Sequence, residues 1–289
     1  MTPLTRPAEA MGAHLPPLMV TAERVAATVA QGVHGRRRVG QGDSFWQFRP
    51  FLPGDTAARI DWRVSARANR TFVRETEWEA AQTVCLWRDG GASMRWKSRA
   101  APVEKADRAG LILLALAALL LRGGERVRLL APGSRPLHGR AGLERLADEL
   151  ERSTAGDGIP PDLAVPRHAS VVLIGDLLAP LETLAARIAG LAAMPAGGTV
   201  LQVLDPAEIM LPYQGRVRFQ GMAGGAAALI PRVEGVRAQY AERLAAQQRG
   251  LAAICAAAGW GFSVHRTDQP PETALLALYS ALAPQRGRR

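Results

Sequence analysis

From residue 83 to residue 282, short apolar runs alternate with longer stretches of helical periodicity, and this alternation constrains the fold more than any other feature of the chain. Residues 83–88 (TVCLWR), 126–131, 169–175 (ASVVLIG), 199–204 (TVLQVL) and 260–265 have the length and apolar content of buried strands. Residues 103–121, 143–150, 181–194, 232–258 and 272–282 have the spacing of helices. Strands joined by helices lie parallel, because each right-handed crossover returns the chain to the same end of the sheet. The pattern predicts an α/β domain over 81–289, with a doubly wound, mostly parallel sheet. Within 208–220 (EIMLPYQGRVRFQ), Gly215 separates two short strand-like runs, which predicts a hairpin inserted after a sheet strand.

The longest apolar run, residues 111–121, is flanked by Arg108 and Arg122. Eleven residues on a helical rise reach about half of a bilayer core, so the run predicts a buried helix and no transmembrane segment. The first eighteen residues carry Pro3, Pro7, Pro16 and Pro17 and lack the basic start and apolar centre of a secretory signal. A loose leader over 1–30 is expected there. The two cysteines, Cys85 and Cys255, have apolar neighbours and cannot build a disulfide framework or a cysteine zinc site. Buried thiols in a reducing compartment, and hence a cytoplasmic location, are expected.

Charge is unevenly spread. Residues 31–74 hold nine arginines against three acids, a large share of the formal net charge of +10. Three of the six tryptophans fall between Trp46 and Trp78, whereas the chain after residue 100 is rich in Ala and Leu. This shift predicts a small Arg- and Trp-rich N-terminal module over 31–80. Only Lys97 and Lys105 are lysines among the 36 basic residues, an arginine bias that reflects composition at least in part. Inside the module, Phe48-Arg49, Pro53-Gly54-Asp55, Arg59-Ile60-Asp61-Trp62 and Ser65-Ala66-Arg67 describe a turn entering a short element. Two readings stand side by side. Arg59, Asp61, Trp62 and Arg67 form either an Arg–Asp network that ties down a polar loop, or a surface of arginines and aromatics that contacts a protein or nucleic acid.

Taken together with Val73-Arg74-Glu75, Asp89, Ser93-Met94, Leu204-Asp205-Pro206-Ala207-Glu208, Tyr240 and Thr267-Asp268, this stretch resembles the bacterial family called domain of unknown function 58, over about residues 36–285. The resemblance implies a von Willebrand factor A-like fold, consistent with the strand and helix order. It also implies association with a MoxR-type AAA+ ATPase and other von Willebrand A-like proteins, in assembly or activation of further proteins. In von Willebrand A-like domains the end of the first sheet strand carries Asp-x-Ser-x-Ser, which holds Mg²⁺ together with a distant Thr and Asp and leaves one position for a partner's carboxylate. Here the corresponding residues are Asp89-Gly90-Gly91-Ala92-Ser93, with Asp176 in the distal place and no matching threonine. Gly91 supplies no side-chain oxygen. The resemblance therefore implies a degenerate metal site of Asp89, Ser93 and Asp176, in which Asp89 and Ser93 still face a partner.

No GxxxxGK[ST] loop, GxSxG elbow or CxxC pair is present, and the five histidines are scattered. The Gly221–Gly225 stretch (GMAGG) lacks the strand-before, helix-after context of a dinucleotide loop. The expectation is a non-catalytic protein-interaction adaptor with no cofactor. Electrostatic nucleic-acid binding through 31–74 is the alternative, and metal-dependent hydrolysis at the sheet end ranks below both because no general base stands near the acids. The arginines at 286–289 are expected to form a solvated tail.

Overall fold

The structure of the chain, a computed structural model, describes residues 15–32, 44–52, 55–57, 60–68, 70–77, 82–153, 156–194, 197–222 and 227–282. In chain order the elements are α1 (Leu15–Gly32), β1 (Ser44–Pro50), α2 (Trp62–Ala68), β2 (Phe72–Glu77), β3 (Thr83–Arg88), α3 (Lys105–Arg122), β4 (Arg126–Leu129), α4 (Gly139–Arg152) and β5 (Ser170–Gly175). They continue with α5 (Leu181–Ala192), β6 (Gly197–Leu204), α6 (Pro206–Met210), β7 (Val217–Phe219), β8 (Ala228–Ile230), α7 (Val233–Ala257), β9 (Gly261–Arg266) and α8 (Pro271–Ala281). Contacts divide the chain into two units, Met1–Gly32 with Gln82–Arg289, and Val33–Ala81.

The larger unit is built on a five-stranded sheet, β4-β3-β5-β6-β9, in which every neighbouring pair is parallel. Strand residues point alternately to the two faces. Val171 and Leu173 of β5 join Cys85, Leu184, Ile188, Leu191, Leu251, Cys255 and Trp260 in one core beneath α5 and α7. The intervening Val172 and Ile174, also buried, lie on the opposite face, where α3 runs across β3, β4, β5 and β6. Both faces are thus covered, and the run of apolar residues in each strand is what two-sided burial requires. Gly198 allows the indole of Trp260 to lie against β6, since a Cβ there would fall 2.2 Å from the ring. Both cysteines are free and buried.

The described part of the expected loose leader over 1–30, residues 15–30, differs from that expectation. Residues 15–32 form a helix with Ala22, Val25, Ala26 and Val29 buried, and it packs on α3 and α8 within the larger unit. Pro16 and Pro17 fall in the first turn, where a missing N–H costs nothing. This explains α3 itself. Residues 112–121 of that helix are all buried because the sheet, α1, α4 and α8 surround it, and a helix apolar on every side needs cover on every side. Among the described residues no helix is long and apolar enough to cross a membrane.

The hairpin also differs from expectation. Residues 206–210 are helical, and the antiparallel pair is β7 with β8, in register Val217↔Ile230 to Phe219↔Ala228. The Gly/Ala stretch 221–225 falls between these two strands, with 223–225 outside the described residues. Gly215 does turn the chain, at φ 68°, but its N–H donates to Glu234 Oε1 and its carbonyl accepts from Val233 N. It therefore anchors the hairpin to the start of α7, and the strands pair one loop later.

The unit Val33–Ala81 contains an antiparallel ribbon of β1 and β2, with a bulge between Phe45 and Gln47, and the short helix α2. An isolated bridge between Ile60 and the buried Val73 leads the chain into α2.

Candidate functional site

The carboxyl ends of β3 and β5 lie side by side, and the connections leaving them diverge: the chain passes from β3 to β4 on one side, then returns across to β5 on the other. Such a switch point leaves a crevice in which open α/β sheets place their functional groups. Asp89 follows β3, Asp176 follows β5 and Asp205 follows β6. The backbone N–H of Asp89 donates to Ile174 O at 2.8 Å, which holds the two strand ends together.

Asp89 is fully buried. Its Oδ1 accepts from Gly91 N at 2.7 Å, while Oδ2 has no hydrogen-bond partner. Glycines make this packing possible. A Cβ on Gly175 would lie 2.7 Å from Asp89 Cβ, and one on Gly91 would lie 2.9 Å from Asp89 Oδ1 and 3.4 Å from Gly156 O and Gly158 N. The backbone at 156–158 therefore covers the Asp89-Gly90-Gly91 turn. Burial pushes the Asp89 carboxyl up to about 6, against the pull of the Gly91 N–H, with Asp176 adding to the rise and Lys105 and Arg88 opposing it.

Lys105, the first residue of α3, has no exposed surface. Its Nζ donates to Asp176 Oδ2 at 3.0 Å and to Glu208 Oε1 at 2.5 Å. Burial alone would lower its pKa, but the two carboxylates outweigh that and hold it above the ordinary lysine value. Each acid is fixed in turn. Glu208 Oε2 accepts from Asp205 N at 2.8 Å and Asp205 Oδ1 accepts from Ala207 N at 2.7 Å, a reciprocal capping box that starts α6. Asp205 Oδ2 accepts from Ser98 N at 2.8 Å, Tyr240 of α7 donates its hydroxyl to Glu208 O at 2.6 Å, and Gln202 Nε2 donates to Asp176 O at 2.8 Å. One turn beyond Lys105, Arg108 donates through Nη1 to Gln269 O and through Nη2 to Thr267 O, both at 2.9 Å. The first turn of α3 thus ties together the loops that leave β5, β6 and β9. A neighbouring cleft of about 340 Å³ is lined by Trp87, Arg88, Leu130, Ser153, Ile159 and Arg187. Its cations are engaged: Arg88 Nη2 donates to Leu150 O and Ser153 O at the end of α4, and Arg187 pairs with Asp162.

These residues do not fit Mg²⁺. That ion needs near-octahedral oxygen ligation with room for water, yet Gly91 offers no oxygen, the backbone at 156–158 closes over the turn, and an ammonium already holds the Asp176 oxygen. Ser93 sits on the 3₁₀ turn Ala92–Met94, half-buried. Among the described residues no group of three or more His, Cys, Asp or Glu is arranged to hold a metal. With Asp89 sealed, no partner carboxylate reaches it in this conformation, unlike the partner-facing role expected for it.

The other expected residues lie in Val33–Ala81. Arg59 is outside the described residues. Asp61 N-caps α2, its Oδ1 accepting from Arg63 N at 3.1 Å and Val64 N at 3.0 Å. Ser65 Oγ donates to Asp61 O at 2.7 Å and accepts from Phe72 N at 2.8 Å, which fastens α2 to the start of β2. With the polar residues so engaged, Trp62 at the first helical position is 68% exposed, and Arg63, Arg67 and Arg70 of the same segment are exposed as well. No sequence motif singles out Lys105, and Glu208 and Tyr240 enter only as part of the family resemblance, with no role assigned to them. The available signal was composition: a lysine at a helix start in a chain with only two lysines among its 36 basic residues.

Fold and site together define a mixed α/β protein whose sheet ends on a buried ammonium–carboxylate cluster. The chain belongs to the family described as protein of unknown function DUF58, whose profile matches residues 47–250. An uncharacterized protein of Mycobacterium tuberculosis strain H37Rv is 28% identical over 281 residues, covering 90% of this chain and 86% of the relative, and one from Mycobacterium bovis matches equally. Among solved structures, an aerotolerance-related membrane protein of Bacteroides fragilis NCTC 9343, carrying multiple mutations to serines, is 15% identical with a TM-score of 0.37. The conserved hypothetical protein BatB of Bacteroides thetaiotaomicron is 14% identical with a TM-score of 0.35. Each match covers 70% of this chain and 98% of the other. Agreement at that level transfers no property of either protein to this one.

Proposed function

We propose that this chain is a cytoplasmic, non-catalytic adaptor of von Willebrand factor A-like architecture that works with a MoxR-type AAA+ ATPase. The observation that carries this reading is the local construction of residues 61–72. Asp61 and Ser65 direct their polar atoms into the backbone, which leaves an exposed tryptophan, Trp62, in a short segment whose Arg63, Arg67 and Arg70 are also exposed. Trp and Arg are the side chains most enriched at energetic centres of protein interfaces. At the sheet end the acids are buried and bonded to the chain's own groups, which disfavours chemistry there and leaves the exposed segment around Trp62 as the contact surface. The von Willebrand A-like assignment is supported by the parallel order β4-β3-β5-β6-β9 and by acids closing the two strands at the switch point.

The test is a pull-down from nuclease-treated native cytosol with tagged wild type and Trp62→Ala, in Mg²⁺ and in EDTA, read by mass spectrometry. The expected result is recovery of the MoxR-type ATPase by wild type in both buffers and its loss with Trp62→Ala. If the ATPase is never recovered and the purified protein, titrated separately with added nucleic acid, binds it with an affinity that falls steeply as salt rises, the basic segment 31–74 is a phosphate-binding surface and the adaptor reading fails.

A further inference from the structure

We infer that Lys105 is a tethered cation occupying the role a divalent ion plays at this end of a metal-binding sheet, so that the carboxyl edge works independently of metal. This does not depend on the adaptor reading. Three observations converge on it. First, the ammonium is buried and bonded to carboxylates from two different loops, Asp176 after β5 and Glu208 in α6, with Asp89 within its electrostatic reach. Bridging acids from separate loops is the structural work of a bound ion, done here by a side chain.

Second, the packing leaves no place for the missing oxygen ligand. A side chain at position 91 would meet Asp89 Oδ1 and the backbone at 156–158, so the turn is shaped around glycine. Third, the residue type runs against the composition of the chain. Of 36 basic residues, 105 is one of only two lysines. An ammonium is a compact point charge with three donors, whereas a guanidinium is a planar fork. Arg108, one turn away, makes the fork's contacts with two carbonyl oxygens, and Lys105 makes the ion's contacts with two carboxylates. A covalently attached cation cannot be removed by a chelator, and because Lys105 is fully buried its remaining N–H is closed to a partner's carboxylate.

The experiment uses Mn²⁺ alone as the probe, followed by electron paramagnetic resonance and by thermal unfolding. Wild type is expected to bind no stoichiometric Mn²⁺ and to melt at the same temperature in Mn²⁺ and in EDTA. Lys105→Ala, which leaves the acids facing a vacated seat, is expected to melt lower and to regain stability with Mn²⁺, a rescue that Asp176→Asn in the same background removes. Should the variant not fold, the wild type still decides the matter. With only Lys97 and Lys105 present, the ¹⁵Nζ spectrum has two side-chain ammonium signals, and that of Lys105 is expected to exchange slowly and to stay sharp when Mn²⁺ is added. One equivalent of Mn²⁺ bound by wild type and lost in Asp176→Asn, paramagnetic broadening of the Lys105 signal, or a folded Lys105→Ala indifferent to Mn²⁺ would each overturn the inference.

Discussion

Two regions of this molecule use acidic and hydroxyl side chains to opposite ends. At the sheet edge, Asp89, Asp176, Asp205 and Glu208 are turned inward onto one ammonium and a set of backbone N–H groups, and loops close over them. In α2, Asp61 and Ser65 also bond to nearby backbone, but the turn they make pushes the indole of Trp62 into solvent. The same hydrogen-bonding economy seals one site and presents another. Polar residues in a family signature can therefore be builders, which leaves the exposed apolar residue between them as the candidate for contact.

The contrast can be broken most forcefully at Lys105. Lys105→Met leaves two buried carboxylates without their cation, and loss of one member of a buried pair costs about 3–5 kcal/mol, which urea unfolding at pH 7 should read. Next comes Asp89. Its native value near 6 lies above the unfolded value of 3.8, so the native state holds a proton that the unfolded state has released, and stability declines as pH rises from about 4 to about 6. Asp89→Asn removes that penalty and is expected to stabilise the protein by about 2 kcal/mol at pH 7 and by nothing near pH 4. His265 sets an opposing slope. Burial, with Arg108, lowers its value to about 4 from 6.5, so its neutral native form loses stability as pH falls through that interval; the Asp89→Asn variant should therefore show the steeper acid loss in a melting series from pH 7 to 4.

Smaller effects sharpen the other side of the comparison. Asp61→Ala removes the cap of α2 and is expected to cost about 1 kcal/mol, seen as faster amide exchange over residues 60–73 with the strands β3 to β6 unchanged. Trp62→Ala should alter stability by less than about 0.5 kcal/mol, as exposed positions do, while abolishing capture of the ATPase in the pull-down. A large stability loss for Trp62→Ala would mean that the indole is a packing residue, and the contrast with the sheet edge would disappear.

Much of the fold was legible because strands and helices alternate with clear periodicity, and their limits fall within a few residues of those expected. The helix α1 was hidden by its prolines, although two signals pointed to it: Ala22, Val25, Ala26 and Val29 keep helical spacing, and an α3 apolar all round demands a further covering element. The hairpin was misplaced because Gly215 satisfies the local rule for a turn while the pairing partner of β7 lies beyond a longer loop. Asp89 and Asp176 were found through motif position. The ammonium that joins Asp176 to Glu208 has no such signal, since Lys105 is 71 residues from Asp176 and 103 from Glu208 in sequence, and no local pattern connects them.

The docking of α1 on α3 and α8 also has a consequence in time. During synthesis α1 leaves the ribosome about 240 residues before α8 does, and at ordinary rates of elongation that interval is on the order of ten seconds or more. Throughout it, the stripe of Ala22, Val25, Ala26 and Val29 has only part of its final seat, and the 33–81 unit is made in between. The side of α1 that α8 covers is thus among the last to be closed, although its main seat on α3 is made earlier, and until the final helix arrives that remaining apolar surface is one a holding chaperone can bind.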